Sequence, residues 1–96
     1  MLILITYDVA TTELEGSRRL RRIAQACKDY GVRVQKSVFE CRVGDKEWTK
    51  LRARLLDEMK LDQDSLRFYF LDEENVRKTE HHGIAEPANL NEPLVL

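Results

Sequence analysis

Apolar positions fall into a few groups along the chain, and their spacing assigns each group to an element. Four large apolar residues in a row, Leu2 to Ile5, are followed by Thr6 and Tyr7. This short run, rich in β-branched and aromatic residues, favours a strand, and its unbroken apolarity favours an interior one covered on both faces. Alternation places Leu2, Leu4, Thr6 and Asp8 on one side and Ile3, Ile5, Tyr7 and Val9 on the other. Next, Leu20, Ile23, Ala24 and Cys27 recur at i, i+3, i+4 and i+7. That spacing predicts a helix with Arg18, Arg19, Arg22 and Gln25 on its opposite side. Thr12 and Glu15 have capping-box spacing and Ser17 is a second candidate for the helix start. Gly31 is read as the residue just past the helix end, free to take positive φ.

Val32 to Val43 has strand composition, but its phase changes. Val32 and Val34 share one parity and Phe39, Cys41 and Val43 the other. The phases meet at Lys36-Ser37, which a bulge or a tight turn would explain; two short strands joined by a turn are favoured, because one unbroken strand would be long for so small a domain. Asp45 is read as the N-cap of a second helix, with Trp48, Leu51, Leu55, Leu56 and Met59 as its apolar stripe. After a turn-rich connector from Asp62 to Ser65, Leu66, Phe68 and Phe70 alternate with Arg67, Tyr69 and Leu71 in a further strand. Val76 to His82 is expected as a short edge strand, and His81 and His82 as its polar residues. The tail ends in Leu94-Val95-Leu96, read as a docked strand on this sheet or a partner's.

The order is β-α-β-β-α-β with a C-terminal extension strand. It predicts an α+β, ferredoxin-like single domain over residues 1–96, with a core of about 1–72 and an edge strand and tail over 73–96. Both helices then lie on one face of the sheet. The other face needs a cover, and a second copy is the simplest, giving a homodimer.

Composition narrows the classes. Of 96 residues, 43% are hydrophobic and 34% charged, as in ordinary globular domains, and no apolar run has the length of a membrane span. Cys27 and Cys41 lack metal-ligand spacing and fall at expected core positions, so they read as reduced thiols of a cytoplasmic protein. The net charge of −1 is unevenly spread: Ser17 to Arg42 holds eight basic and two acidic residues, the remainder eight basic and fifteen acidic. A basic patch on an acidic body is what a phosphate backbone would feel. The arginines of the first helix fit either a solvated face or an anion-binding one.

Asp8 at the tip of the first strand is the candidate chemical group, since a carboxylate there must be paired, protonated or bound to a metal. The Tyr7-Asp8 strand ending, the arginine-rich helix, Gly31 and the run Arg33-Val34-Gln35-Lys36-Ser37-Val38-Phe39-Glu40 resemble CRISPR-associated protein 2, the small subunit of the spacer-acquisition machinery. The resemblance implies a ferredoxin-like homodimer whose two Asp8 carboxylates meet near the two-fold axis. It further implies a divalent-metal-dependent endonuclease acting on RNA or double-stranded DNA, and a role bridging dimers of the CRISPR integrase subunit.

On that basis Asp8 is expected to hold Mg²⁺ (or Mn²⁺) and to be catalytic, while Arg18, Arg19, Arg22 and Arg33 bind the nucleic acid. A capping role for Asp8 after the strand stands beside the metal reading. The alternatives to an endonuclease are a non-catalytic DNA-binding scaffold bridging integrase dimers and, more distantly, a toxin-type ribonuclease.

Overall fold

A computed structural model describes residues 1–84. Its elements are β1 (Leu2–Asp8), α1 (Leu14–Tyr30), β2 (Gly31–Gln35), β3 (Val38–Arg42), α2 (Asp45–Glu58), β4 (Ser65–Leu71) and a short α3 (Glu73–Val76). The four strands form one antiparallel sheet in the order β2-β3-β1-β4. This is the ferredoxin-like arrangement, with β1 in the interior as its apolar run predicts.

Alternation along β1 decides where the core lies. Ile3, Ile5, Tyr7 and Val9 are buried against α1 and α2, together with Phe39, Cys41 and Val43 from β3 and its end. The helices contribute Ile23, Ala26 and Cys27 from α1 and Leu51, Leu55 and Met59 at α2. Trp48 closes the β4 side, its ring meeting Phe68 edge-on at 4.8 Å and Phe70 at 5.7 Å between centroids. The opposite face of β1 presents Leu2 buried, Leu4 and Thr6 half-buried and Asp8 exposed; α1 and α2 lie on the other face, and only Glu73 of α3, paired with Arg42, reaches the Leu2 end.

The expected turn at Lys36-Ser37 is present between β2 and β3, and a register shift between Arg33 and Gln35 accompanies it. Other expectations are corrected. The helix starts at Leu14 after Glu13, with no side-chain cap from Thr12 or Ser17. Gly31 is extended, not left-handed, because β2 begins at once. Glycine is required there by proximity: a methyl group would run into the Cys41 sulfur and the Glu40 carbonyl of the paired strand. At α2 the cap position belongs to Gly44, whose N–H donates to Glu47 at 3.2 Å, and Asp45 is already helical. Residues 76–82 form no strand; Asp72 caps the short α3 by accepting from the Glu74 N–H at 2.9 Å. The stretch Leu94–Leu96 lies outside the described residues.

Candidate functional site

Asp8 ends β1 opposite Ser65, on the sheet face away from the helices. Asp8 is exposed, so within one chain water answers the charge that was expected to need a partner, a proton or a metal; among the described residues its carboxylate takes part in no hydrogen bond or ion pair, and the capping role has no support there. No group of three or more His, Cys, Asp or Glu side chains that could hold a metal is gathered among the described residues. One chain therefore offers one carboxylate at this place, a half-site at most for a cation that takes one or two carboxylates with waters and phosphate oxygens.

The arginines of α1 and β2 separate into four environments. Arg19 is buried at 2% exposure and holds Asp64 with two bonds, Nε to Oδ2 at 2.7 Å and a second guanidinium nitrogen to Oδ1 at 3.0 Å. Asp64 also accepts the backbone N–H groups of Ala10 and Lys60. The Arg19 guanidinium, helped by those N–H donors, holds the Asp64 carboxyl down at about 2 against the burial that would raise it. Arg19 thus belongs to the inner face of α1, in line with Ile23 and Ala26 at i+4 and i+7, and not to the outer face where the sequence spacing placed it. Its work is to join the β1–α1 connector to the turn before β4.

Arg22 is half-exposed and paired twice, with Glu58 of α2 at 2.7 Å and with Glu15 at 2.8 Å. Arg18 and Arg21 are exposed and make no ion pair among the described residues. Arg33 lies on the helix side of the edge strand β2, opposite Phe39, with its guanidinium 5.1 Å from the Phe39 ring centroid. Its Nε is buried and has no acceptor among the described residues, an omission that costs roughly 1–3 kcal/mol for a typical group. Tyr7 stacks on the same Phe39 ring at 6.3 Å; burial raises its hydroxyl above the ordinary tyrosine value, with Arg33 and Ser37 opposing.

Within one chain, then, Asp8 and Arg33 project from opposite faces of the sheet. Alternation already carried that message, since Tyr7 and Asp8 are neighbours. Arg21 and Lys36 were the basic residues that sequence reasoning left out. The signal for Arg21 was its phase: it lies three positions after Arg18 on the side of α1 farthest from Ile23.

This topology agrees with the comparisons. Residues 1–79 match the family described as CRISPR associated protein Cas2. The chain belongs to the Cas2 family. It is 54% identical over 96 residues to the CRISPR-associated endoribonuclease Cas2 of Chlorobaculum tepidum, covering 100% of both chains. It is 45% identical over 95 residues to the CRISPR-associated endonuclease Cas2 of Halalkalibacterium halodurans, covering 99% of each. The crystal structure of Streptococcus pyogenes Cas2 superposes with a TM-score of 0.78 at 44% identity, over 86% of this chain and 100% of that one. The YD strand ending and the Arg33–Glu40 run thus pointed to the right family. No helix among the described residues of this Cas2-family chain is long and apolar enough to cross a membrane.

Proposed function

We propose that this Cas2-family protein is a CRISPR adaptation endonuclease that cleaves phosphodiester bonds of RNA or duplex DNA with Asp8 as its catalytic carboxylate. The observation that carries the reading is Asp8 itself: exposed, without a partner among the described residues, and on the uncovered sheet face at the end of the interior strand. Two chains apposed through that face bring two such carboxylates together, and like charges that close are relieved by a shared cation or a shared proton. The donor set fits Mg²⁺ or Mn²⁺, which when bound supplies an activated water and stabilises charge on the phosphate.

The chain's own residues do the rest. Asp8 would hold the cation, one carboxylate from each of two chains. Arg18 and Arg21, exposed on the outside of α1 and so across the sheet from Asp8, attract the phosphate backbone at a distance from the scissile bond. Arg19 and Arg22 are engaged by carboxylates, so their contribution is to hold α1 in place.

A second reading is favoured by those same free cations: a scaffold that holds DNA for the CRISPR integrase subunit without cutting it. Side-by-side assays of wild type and Asp8→Ala on RNA and on duplex DNA, with Mg²⁺ and then with EDTA, separate the two. Loss of cleavage in both Asp8→Ala and EDTA supports the endonuclease. Cleavage that persists in Asp8→Ala removes Asp8 from the chemistry, and a wild type that binds but never cuts establishes the scaffold.

A further inference from the structure

A second feature lies on the other side of the sheet from Asp8. Between α1 and the β2–β3 turn is a cavity of about 290 Å³, at the small end of the roughly 300–1,000 Å³ range of ligand pockets. Its floor is apolar, made by the half-buried Leu20 and Ala24 of α1 with only an edge of the buried Tyr7 ring between them and the sheet. Its rim is cationic, made by Arg21, Arg33 and Lys36, and no carboxylate lines it among the described residues. Arg33 reaches this rim from over the Phe39 ring, with its Nε buried beneath. A bare anion would leave the floor unused, and an uncharged apolar ligand would leave three cationic side chains unanswered. A ligand with a flat apolar part and a phosphate answers both.

We infer that this cavity binds a single unpaired nucleotide, its base on the Leu20, Ala24 and Tyr7 floor and its phosphate among Arg21, Arg33 and Lys36. The inference rests on the reading that the protein handles nucleic acid, but not on cleavage. A paired base is stacked inside its duplex and cannot reach such a floor, so the occupant is a strand end or a free nucleotide. Contact through a base face tolerates any base.

The test is a titration in EDTA, where cleavage plays no part and its failure cannot be mistaken for failure of the cavity. The probes are adenosine and cytidine monophosphates, a single-stranded tetranucleotide with and without a 5′-phosphate, and inorganic phosphate alone. The phosphorylated tetranucleotide, the monophosphates or both are expected to bind at least about tenfold more tightly than inorganic phosphate and the unphosphorylated strand. A tetranucleotide preferred over the monophosphates identifies a strand end, and the reverse identifies a free nucleotide. Ala24→Phe, which fills the floor without changing charge, is expected to lower that affinity at least about tenfold. Lys36→Ala, in an exposed turn, gives the same direction should Ala24→Phe fail to fold. Equal binding of inorganic phosphate and nucleotide overturns the inference, as does wild-type affinity in a folded Ala24→Phe or in Lys36→Ala.

Discussion

Asp64 is the residue with the most structural consequence outside the sheet. Four donors converge on its carboxylate: two from Arg19 and the backbone N–H groups of Ala10 and Lys60. Removing one member of such a buried pair leaves the other charge uncompensated, which typically costs about 3–5 kcal/mol. Asp64→Ala is therefore expected to lower the urea midpoint by a large fraction of the protein's stability, with the m-value unchanged. The sign of the pH dependence follows from the direction of the shift. Because the folded carboxyl is held at about 2, below its ordinary 3.8, the stabilisation is complete above pH 3.8 and is lost as pH falls through about 2. Acid unfolding of Asp64→Ala should lack that step, and an unchanged acid limb would remove the pair from the account. The sequence did not announce Asp64, since it stands in an ordinary polar turn and its partner lies 45 positions away. Arg19 was half legible: four residues before Ile23, it shared the phase of the core, but its charge argued for the outside.

At the scale of the element, α1 has two flanks with different partners. The flank toward α2 is closed by ion pairs, Arg22 with Glu58 and Asp29 with Arg54. The outer side keeps Arg18 and Arg21 free of ion pairs among the described residues. Charge reversal at Arg18 or Arg21 should weaken duplex binding and reduce the slope of log affinity against log salt by about one unit per lost phosphate contact. Arg22→Ala should change binding less, because its guanidinium already satisfies two carboxylates. Equal losses at Arg21 and Arg22 in a salt series would place the nucleic acid across the whole helix instead. The ends of α1 show why boundaries were harder to read than periods. Its apolar stripe follows from residues that touch the core, whereas its C-terminal end depends on how closely β3 approaches. Gly31→Ala puts a methyl group against the Cys41 sulfur and the Glu40 carbonyl, and a loss of about 1–3 kcal/mol on chemical denaturation is expected. The missing strand at 76–82 shows the same limit: the charges of Arg77, Lys78 and Glu80 fit an edge strand, but α3, capped by Asp72 accepting from the Glu74 N–H, takes the chain off the sheet first.

For the molecule as a whole, the unresolved demand is the bare face of the sheet. A chain of 96 residues buries only about 60–65% of its unfolded surface, and here one side of a four-stranded sheet has neither α1 nor α2 over it. Leu4 and Val38 are half-buried on that face and Tyr69 is 42% exposed, with Arg67 bonded to the Tyr69 hydroxyl at 2.8 Å and Asp8 at the end of the row. A self-complementary pairing through this face covers the apolar centre and draws the two Asp8 tips toward one axis. Half a metal site on each chain then becomes a whole one, so association and cleavage stand or fall together in the endonuclease reading. Leu4→Glu tests the link without touching Asp8, because it buries a carboxylate in the centre of the contact. Sedimentation at micromolar concentration should show wild type as a dimer and Leu4→Glu as a monomer, with Mg²⁺-dependent cleavage reduced at least about a hundredfold. The α1 cavity lies on the far side of the sheet, so a folded Leu4→Glu monomer should still bind a nucleotide with unaltered affinity. A monomer that cleaves as well as wild type would show that one Asp8 suffices, and a Leu4→Glu dimer would move the contact to another surface.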